Sequence, residues 1–250
     1  MKRIIIKIFF LLIAMVVLTG CRSYFSSELP KTDQDSLTVW VERQIEAKKK
    51  FENFRRKILP RDFESKIEDY YPVIRKYSKR YGFDWRLIVM QILKESRFRE
   101  DARSHVGAIG LMQIMPSTAL EIRREMDIEY ITINPRENIA AGIYHLFKQL
   151  KYFPDADRDD RVKLALAAYN GGVGRVLDAQ KISRYLNLNP QTWEGVKAAL
   201  PRLTARDWRL HLDIWELGVP KYGYFYGYEE TINYVDDIIN YYQIFTSVYE

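Results

Sequence analysis

The chain has 250 residues, enough for one large domain or two small ones with a sizeable buried core. Apolar residues make up 47% and charged residues 29%, which is close to the globular average and excludes a wholly disordered chain. One cysteine cannot form an internal disulfide. One cysteine and three histidines also cannot supply the usual ligands of a structural zinc site.

Residues 1–20 have the features of an export signal. Lys2, Arg3 and Lys7 form a basic start, and an uninterrupted apolar run follows over 8–18. That run is too short for a stable membrane-spanning helix, but it has the length of a signal-peptide core. The only cysteine, Cys21, comes directly after Leu-Thr-Gly, an arrangement that resembles the bacterial lipobox. We therefore predict a lipoprotein signal peptide over 1–20 and lipidation of Cys21; the alternative is an ordinary signal peptide followed by a chance cysteine.

A lipid on the first mature residue would anchor the protein to a membrane without spanning it. The residue after the cysteine is Arg22 and not Asp, which in lipoproteins of this kind implies sorting to the outer membrane. The resemblance to lipoproteins therefore implies that the protein is located in the cell envelope, at the periplasmic face of the outer membrane. Removal of the signal would lower the net charge from +6 to +3. This modest charge suits an anionic polymer or lipid, and the basic stripe of a nucleic-acid binder is missing. We expect no nucleic-acid partner.

Composition divides the rest of the chain into a short linker region and a helical domain. Residues 22–36, rich in serine and acidic residues, predict a flexible tether, and 37–59 predict an irregularly amphipathic helix. The basic residues between 48 and 57 alternate with acidic and aromatic ones, which favours a solvated helix face. The predicted organisation is a signal peptide over 1–20, a lipidated tether with a spacer helix over 21–60, and a catalytic domain over 61–250.

From residue 61 onward the apolar pattern is helical. Steps of four and three run from Phe63 to Tyr81, and we expect Pro72 to start a fresh helix that Gly82 ends. Asp84 is a suitable cap for a helix that runs to about Arg97. Apolar residues surround that helix on all sides, which predicts a buried central helix.

Four further helices follow in the pattern. One starts at Asn134-Pro135, one ends at 171–172, a shorter one opens at Asn189-Pro190 and runs to Leu200, and the last begins near Glu229. No segment shows sustained strand alternation and no internal repeat is visible. The predicted fold class is all-α.

Glu95 is the outstanding candidate for acid chemistry. It shares a face of the central helix with Ile88, Gln91 and Ile92. Apolar surroundings raise the pKa of a carboxyl group, so it can hold a proton near neutral pH and act as a general acid toward a departing sugar oxygen. Taken alone, the residue also fits a structural ion-pair partner.

Several ordered motifs accompany Glu95. They are ES at 95–96, SHVG at 104–107, GLMQ at 110–113, NPRENI at 134–139, AYN at 168–170 and ETINYV at 230–235. In this order they resemble the SLT catalytic domain of the lytic transglycosylases over about residues 65–248. The resemblance implies a lysozyme-like helical fold of the goose-type/SLT kind, with at most a small hairpin near GLMQ. It is strongest to a membrane-bound branch that normally carries a large amino-terminal solute-binding-type module, whose place here is taken by residues 22–60.

The resemblance also implies residue roles. Glu95 would be the single acid/base, and the substrate-binding residues would be Ser96, Gly110, Leu111, Met112, Gln113, Tyr169, Asn170, Glu230 and Tyr234. A mainly packing role for Tyr169 stays open, because it lies on the apolar stripe of its helix. Tyrosines 222, 224, 226 and 228 suit either sugar stacking or loop packing.

The implied substrate is the glycan strand of peptidoglycan. Lytic transglycosylases cleave the β-1,4 bond between N-acetylmuramic acid and N-acetylglucosamine without water and leave a 1,6-anhydromuramyl end, with no metal or other cofactor. Ordinary glycosidases need a second carboxylate, for which Asp101 and Glu230 are the candidates. A hydrolytic muramidase and a non-catalytic peptidoglycan-binding lipoprotein are therefore the alternatives. His105, His145 and His211 are interpreted as structural or surface groups.

Overall fold

A computed structural model gives the fold and describes residues 31–249. The predicted signal peptide and the predicted lipidation site, Cys21, lie outside these residues. By Cα proximity the chain divides into one unit that ends at Glu46 and a second that begins at Ala47. Of the first unit, the described part is helical. Apart from the bounds of the first helix, all further description concerns the second unit.

Every regular element between residues 31 and 249 is a helix, which confirms the predicted all-α class. The α-helices are α1 (Lys31–Ile58), α2 (Phe63–Tyr81), α3 (Trp85–Ser96), α4 (Pro116–Met126), α5 (Pro135–Leu150), α6 (Arg158–Gly171), α7 (Val173–Tyr185), α8 (Trp193–Ala199), α9 (Trp208–Ile214) and α10 (Tyr228–Thr246). Two short 3₁₀ segments, Leu200–Leu203 and Ala205–Asp207, connect α8 to α9. None of these helices has the length and apolarity that a membrane span requires.

Helix α3 is the buried centre, as the sequence predicts. The carboxylate of Asp84 accepts a hydrogen bond of 2.9 Å from the backbone N–H of Arg86 and so caps the helix. The apolar side chains from Leu87 to Leu93 are all buried. The helix ends where Arg97 adopts a left-handed conformation with φ of 52°. Glu95 therefore lies in the last turn of the most buried helix.

Helix α10 packs antiparallel to α3, and polar contacts join the pair at both ends. The Tyr242 hydroxyl donates a 2.9 Å hydrogen bond to Asp84 near the start of α3. The Lys94 ammonium and the Asp237 carboxylate are 2.7 Å apart near its end. Helix α6 also packs against α10, and α5 packs against α2 and α6. These contacts fix the register of the helices that carry the motifs.

Two predicted helix starts are wrong. Pro72 lies inside α2 and does not begin a new helix. Proline has no N–H group to donate to the carbonyl of Glu68 one turn earlier, but the helix tolerates this loss because Glu68 is on an exposed face. Pro190 lies in a turn in which the Asn189 side chain accepts from the next-but-one backbone N–H. The helix begins after that turn at Trp193, capped by the side chain of Thr192.

The amino-terminal boundaries also differ from the prediction. Helix α1 begins at Lys31, inside the segment 22–36 predicted as a flexible tether. The compact unit starts at Ala47, upstream of the predicted domain start at residue 61. The reason is aromatic packing: Phe51 and Phe54 are each 5% exposed, and their rings contact Phe245 and Tyr241 of α10.

Residues that flank the GLMQ segment form the only β-type pairing between residues 31 and 249. Two isolated antiparallel bridges pair Ile109 with Arg103 and with Ile114, and no named strand forms. The backbone N–H and C=O groups of Ile109 and Ile114 exchange two hydrogen bonds of 3.0 Å. This is the small hairpin that the resemblance implies.

Candidate active site

Glu95 and Tyr234 are hydrogen-bonded. The Tyr234 hydroxyl lies 2.5 Å from Oε1 of Glu95 and donates to it. The same hydroxyl accepts a 3.1 Å hydrogen bond from the Gln91 amide, which leaves its own proton directed at the carboxylate. Gln91 and Glu95 are one helical turn apart on α3, so one tyrosine from α10 closes a three-residue network. The Glu95 side chain itself is half-buried.

Burial raises the pKa of Glu95 to about 8 from the ordinary 4.5 of a glutamate. The Tyr234 hydroxyl and the positive charge of Lys94 oppose this rise, and the negative charge of Glu230 adds to it. Loss of water around the carboxyl group exceeds the two opposing effects. Glu95 therefore holds its proton at neutral pH, as a general acid must.

Tyr169 connects this network to the GLMQ segment. Its hydroxyl donates a 2.7 Å hydrogen bond to the backbone carbonyl of Met112. Burial and then the charge of Glu95 raise the pKa of Tyr169 well above 10, and the same two causes, in that order, act on Tyr234. Both phenols are therefore neutral donors close to Glu95. Packing and hydrogen bonding are thus both part of what Tyr169 does.

The GLMQ backbone is held in an unusual conformation. Gly110 has φ of 82° and Gln113 has φ of 46°, both in the left-handed region. The Gln113 side chain folds back and donates to the carbonyls of Ala102 and Gly110, at 3.2 and 2.8 Å. A Cβ at Gly110 would lie 2.6 Å from the side-chain nitrogen of Asn138, so glycine is required there by space as well as by conformation.

Asn138 on α5 is the residue that holds this segment, and its role was not predicted from the sequence. Its side chain is 1% exposed, accepts from the Met112 backbone N–H at 2.8 Å, and donates to the carbonyls of Ile109 and Ile131 at 3.0 Å. A signal was present in the sequence. Asn138, His145 and Gln149 recur at spacings of seven and four, which places three polar residues on one face of a helix whose other inner residues are apolar.

Besides Tyr234, which is 3% exposed, three of the predicted substrate-binding residues have buried side chains. Leu111 and Met112 are fully buried in the core, and the backbone N–H and C=O groups of Met112 are already bonded to Asn138 and Tyr169. Ser96 is 2% exposed, and its hydroxyl donates to the Ile92 carbonyl of its own helix at 3.2 Å. The predicted substrate contacts of these side chains remain predictions.

The remaining predicted residues come from the ends of α6 and α10. The Thr231 hydroxyl donates a 2.7 Å hydrogen bond to the side-chain oxygen of Asn170, and this leaves the Asn170 amide N–H₂ group free to donate elsewhere. Glu230 is exposed and acts on the pKa of Glu95 through its charge. Asp101, the other candidate for a second carboxylate, is exposed and does not contribute to that pKa.

A cavity of about 370 Å³ opens beside these motifs. Gln113, Tyr169 and Asn170 line it on one side, and His145 and Arg175 line it elsewhere. Burial, and then the charge of Lys148, lower the pKa of His145 to about 4, so this imidazole is neutral at physiological pH. Over residues 31–249, no three His, Cys, Asp or Glu side chains are grouped closely enough to hold a metal ion.

Comparison with known families agrees with this arrangement. Residues 72–190 match the family model described as Transglycosylase SLT domain, and the matched stretch contains Glu95, the GLMQ segment and Tyr169. This part of the chain belongs to the SLT transglycosylase family.

Individual relatives carry a more specific name. A protein of Desulfosudis oleivorans named membrane-bound lytic murein transglycosylase F is 36% identical over 184 residues. A protein of the same name from Histophilus somni is 35% identical over 190 residues. Each match covers 72% of this chain but only 37% and 36% of the relatives, so the chain spans little more than a third of their length.

Among solved structures, an inactive mutant of the lytic transglycosylase Slt from Pseudomonas aeruginosa is similar to this chain. It is 28% identical, with a TM-score of 0.45, over 70% of this chain and 24% of that chain.

Proposed function

We propose that this protein is a peptidoglycan lytic transglycosylase. It cleaves the β-1,4 bond between N-acetylmuramic acid and N-acetylglucosamine and leaves a 1,6-anhydromuramyl end. Glu95 is its single acid/base catalyst. The names of the relatives and the SLT family of residues 72–190 support this proposal.

The observation that carries the proposal is the environment of Glu95. A carboxyl group with a pKa of about 8, hydrogen-bonded to Tyr234 and still partly exposed, is a proton donor at neutral pH that a substrate can reach. A structural ion-pair partner would instead need a cation within bonding distance. The nearest cation that acts on Glu95 is its neighbour Lys94, which pairs with Asp237.

The proposed reaction uses the same carboxyl group twice. Glu95 first gives its proton to the glycosidic oxygen, the C1–O bond breaks, and the N-acetylglucosamine portion leaves as an alcohol. The Glu95 carboxylate then takes the proton of the C6 hydroxyl of the same muramyl ring, whose oxygen bonds to C1. Because that hydroxyl is tethered to the reacting carbon, it competes effectively with water. Glu95 ends protonated and ready for another cycle.

The Tyr234 hydroxyl has a defined part in this cycle. A hydrogen bond donated to Glu95 is stronger when the carboxyl group is ionised, so it stabilises the intermediate state in which the proton has been given away. Burial favours the protonated state by a larger margin. The two effects together keep Glu95 acidic enough to donate and basic enough to recover the proton.

The alternative is hydrolysis, which requires a second carboxylate as nucleophile or base. Glu230 is the candidate for that role, because its charge acts on the pKa of Glu95.

Digestion of purified sacculi separates the two reactions, since hydrolysis adds one water to each new reducing end. We expect wild type to release anhydromuropeptides and Glu95→Gln to release none. Products heavier by one water would establish a muramidase. If the wild-type protein bound the sacculi but left them intact, only a scaffold role would remain.

We also propose that Cys21 carries a lipid that anchors the protein to the periplasmic face of the outer membrane. The lipobox-like sequence at 18–21 and the phrase "membrane-bound" in the names of the relatives support this anchor.

Cells that express wild type or Cys21→Ala would be labelled with a fatty acid and fractionated. Wild type should carry the label and sediment with outer membranes, whereas the variant should be unlabelled and free of membranes. A labelled or membrane-bound Cys21→Ala protein would refute the anchor.

A further inference from the structure

The cavity beside the GLMQ segment has the features of an anion site. Its lining includes no aspartate and no glutamate, and its only cation is Arg175 on α7. None of the ion pairs between residues 36 and 249 includes Arg175. The Arg175 side chain is half-buried, so a charge partly removed from water has no carboxylate partner.

The contacts of Arg175 hold its guanidinium group without neutralising it. One terminal nitrogen donates to the Gly171 carbonyl at 3.2 Å, and the group lies 5.1 Å from the centre of the Phe225 ring. Its Nε atom is buried and has no hydrogen-bond partner. A guanidinium group has five N–H donors, and most of them are unused here.

Other lining groups are also unsatisfied. The Gln149 side chain is 6% exposed and its oxygen has no partner, and Nδ1 of His145 has none. The amino terminus of α7 contributes Gly172 and Val173 to the same cavity, and its N-cap residue, Gly172, supplies no side-chain acceptor for the first N–H groups. A helix amino terminus and an unpaired arginine both favour a negatively charged ligand.

The cavity adjoins the proposed catalytic network. Tyr169 and Asn170 belong both to its lining and to the predicted substrate-binding set, and the Tyr169 hydroxyl reaches the GLMQ backbone. The charge of Glu95 also acts on the pKa of Tyr169, so this lining residue lies close to the proposed catalyst. On the basis of the proposed function, we infer that this cavity binds a carboxylate of the substrate's muramyl side group, with Arg175 as its main ligand.

Two carboxylates can supply this chemistry, and they do not occur together on one ring. A bare muramic acid carries a free carboxylate on its lactyl group. When a stem peptide is attached, that carboxyl group is an amide, and the charges lie on the peptide residues instead. The proposal therefore concerns a carboxylate on the muramyl side group, and the substrate arms of the experiment identify which one binds.

Binding can be measured without cleavage in the Glu95→Gln protein. The test compares Glu95→Gln with the double variant Glu95→Gln/Arg175→Gln. Each is titrated with bare glycan strands and with peptide-bearing strands, and each strand type is used both untreated and with its carboxyl groups converted to amides. Arg175→Gln keeps most of the side chain that packs on Phe225. Arg184→Gln, an exposed position on the same helix, is the matched control, and the melting temperature of every variant is recorded.

We expect Arg175→Gln to weaken binding of one untreated strand type by about tenfold, in line with the loss of a charge-assisted hydrogen bond. Amidation of that strand type should weaken its binding to Glu95→Gln by a similar factor and should not weaken binding to the double variant further. Arg184→Gln should leave binding unchanged. The strand type that shows this coupling identifies which carboxylate, lactyl or peptide, binds in the cavity.

The proposal would be overturned if Arg175→Gln and amidation weakened binding additively in both strand types. It would also be overturned if Arg175→Gln weakened binding of neither strand type. The outcome is separate from that of the proposed function. Wild type that releases anhydromuropeptides while no charge coupling appears would refute the carboxylate site alone. Charge-coupled binding by a wild type that cleaves nothing would refute the enzyme proposal alone.

Discussion

The hydroxyl of Tyr234 on α10 lies 2.5 Å from the carboxylate of Glu95 on α3. The two residues are 139 positions apart in the chain, and the antiparallel packing of the two helices brings them together. Burial raises the pKa of Glu95, and this hydrogen bond limits the rise. The proton affinity of the proposed catalyst is therefore set by the contact between two helices.

Replacement of Tyr234 by phenylalanine should raise the pKa of Glu95 further. The lost hydrogen bond favours the ionised carboxyl group, so without it the protonated form gains. A charge-assisted hydrogen bond contributes about 1.5–3 kcal/mol, so we expect kcat to fall roughly 10- to 100-fold. The measurement is the pH dependence of the release of anhydromuropeptides.

Tyr242→Phe is the matched control, because this tyrosine donates to Asp84 at the other end of the same helix pair. It should lower the free energy of unfolding by about 1 kcal/mol and leave the pH profile in place. An unchanged profile in Tyr234→Phe, or equal shifts in the two variants, would show that the Tyr234 contact does not tune Glu95.

The pKa of Glu95 also predicts how stability depends on pH. Because its folded-state pKa of about 8 is above the ordinary 4.5, the unfolded chain loses this proton first as the pH rises. The stabilisation present below pH 4.5 is lost progressively as the pH approaches about 8, with a slope of up to about 1.4 kcal/mol per pH unit.

Glu95→Gln has no such proton to lose. Its free energy of unfolding, relative to wild type, should therefore increase between pH 5 and pH 8 in urea denaturation. A difference between the two proteins that stays constant over this range would mean that Glu95 titrates alike in the folded and unfolded states.

Asn138 should be important for both stability and activity. Asn138→Ala removes three hydrogen bonds to backbone groups around the GLMQ segment, two of them to carbonyls and one from the Met112 N–H. We expect a loss of about 2–4 kcal/mol in the free energy of unfolding, with a lower kcat/KM at temperatures where the variant is folded. Denaturation and digestion of sacculi measure the two effects.

Asn134→Ala provides a comparison on the same helix. Asn134 caps the exposed start of α5, and its loss should cost about 1 kcal/mol without an effect on kcat/KM. If Asn138→Ala behaved like Asn134→Ala, the Asn138 side chain would not be what holds the GLMQ segment.

Thr231 should orient Asn170. Thr231→Val keeps the shape of the side chain but removes the hydroxyl that donates to Asn170 at 2.7 Å. The freed Asn170 amide can then rotate, and we expect kcat/KM to fall roughly tenfold with a stability loss of about 1 kcal/mol. Thr231→Ser keeps the hydroxyl and should retain activity. Equal losses in both variants would assign the effect to packing.

The central part of the fold could be predicted from sequence because its signals are local. Asp84 and Asn134 cap their helices as the patterns indicate, and α3 is apolar on all sides. Helices α4, α7 and α9 gave no such signal. Helix α7, for example, begins immediately after the glycine pair that ends α6, so the pattern predicted an end but no new beginning.

The candidate site was only partly predictable, since its geometry depends on contacts between distant residues. Glu95 could be proposed from its apolar neighbours, but its contact with Tyr234 depends on the register of α3 and α10. Ser96 and Met112 belong to the motifs, yet their side chains turn inward. Asn138 could be recognised only after the fold had placed its helix face against the GLMQ backbone.

Titration of Glu95 in the folded wild-type protein tests directly whether this residue can serve as the proton donor. Carbon-13 NMR of the glutamate carboxyl groups, with the Glu95→Gln protein used to assign the signal, reports the pKa of this one side chain. We expect a midpoint near pH 8. A midpoint near 4.5, the ordinary value for a glutamate, would contradict it, because Glu95 would then have no proton to give at neutral pH.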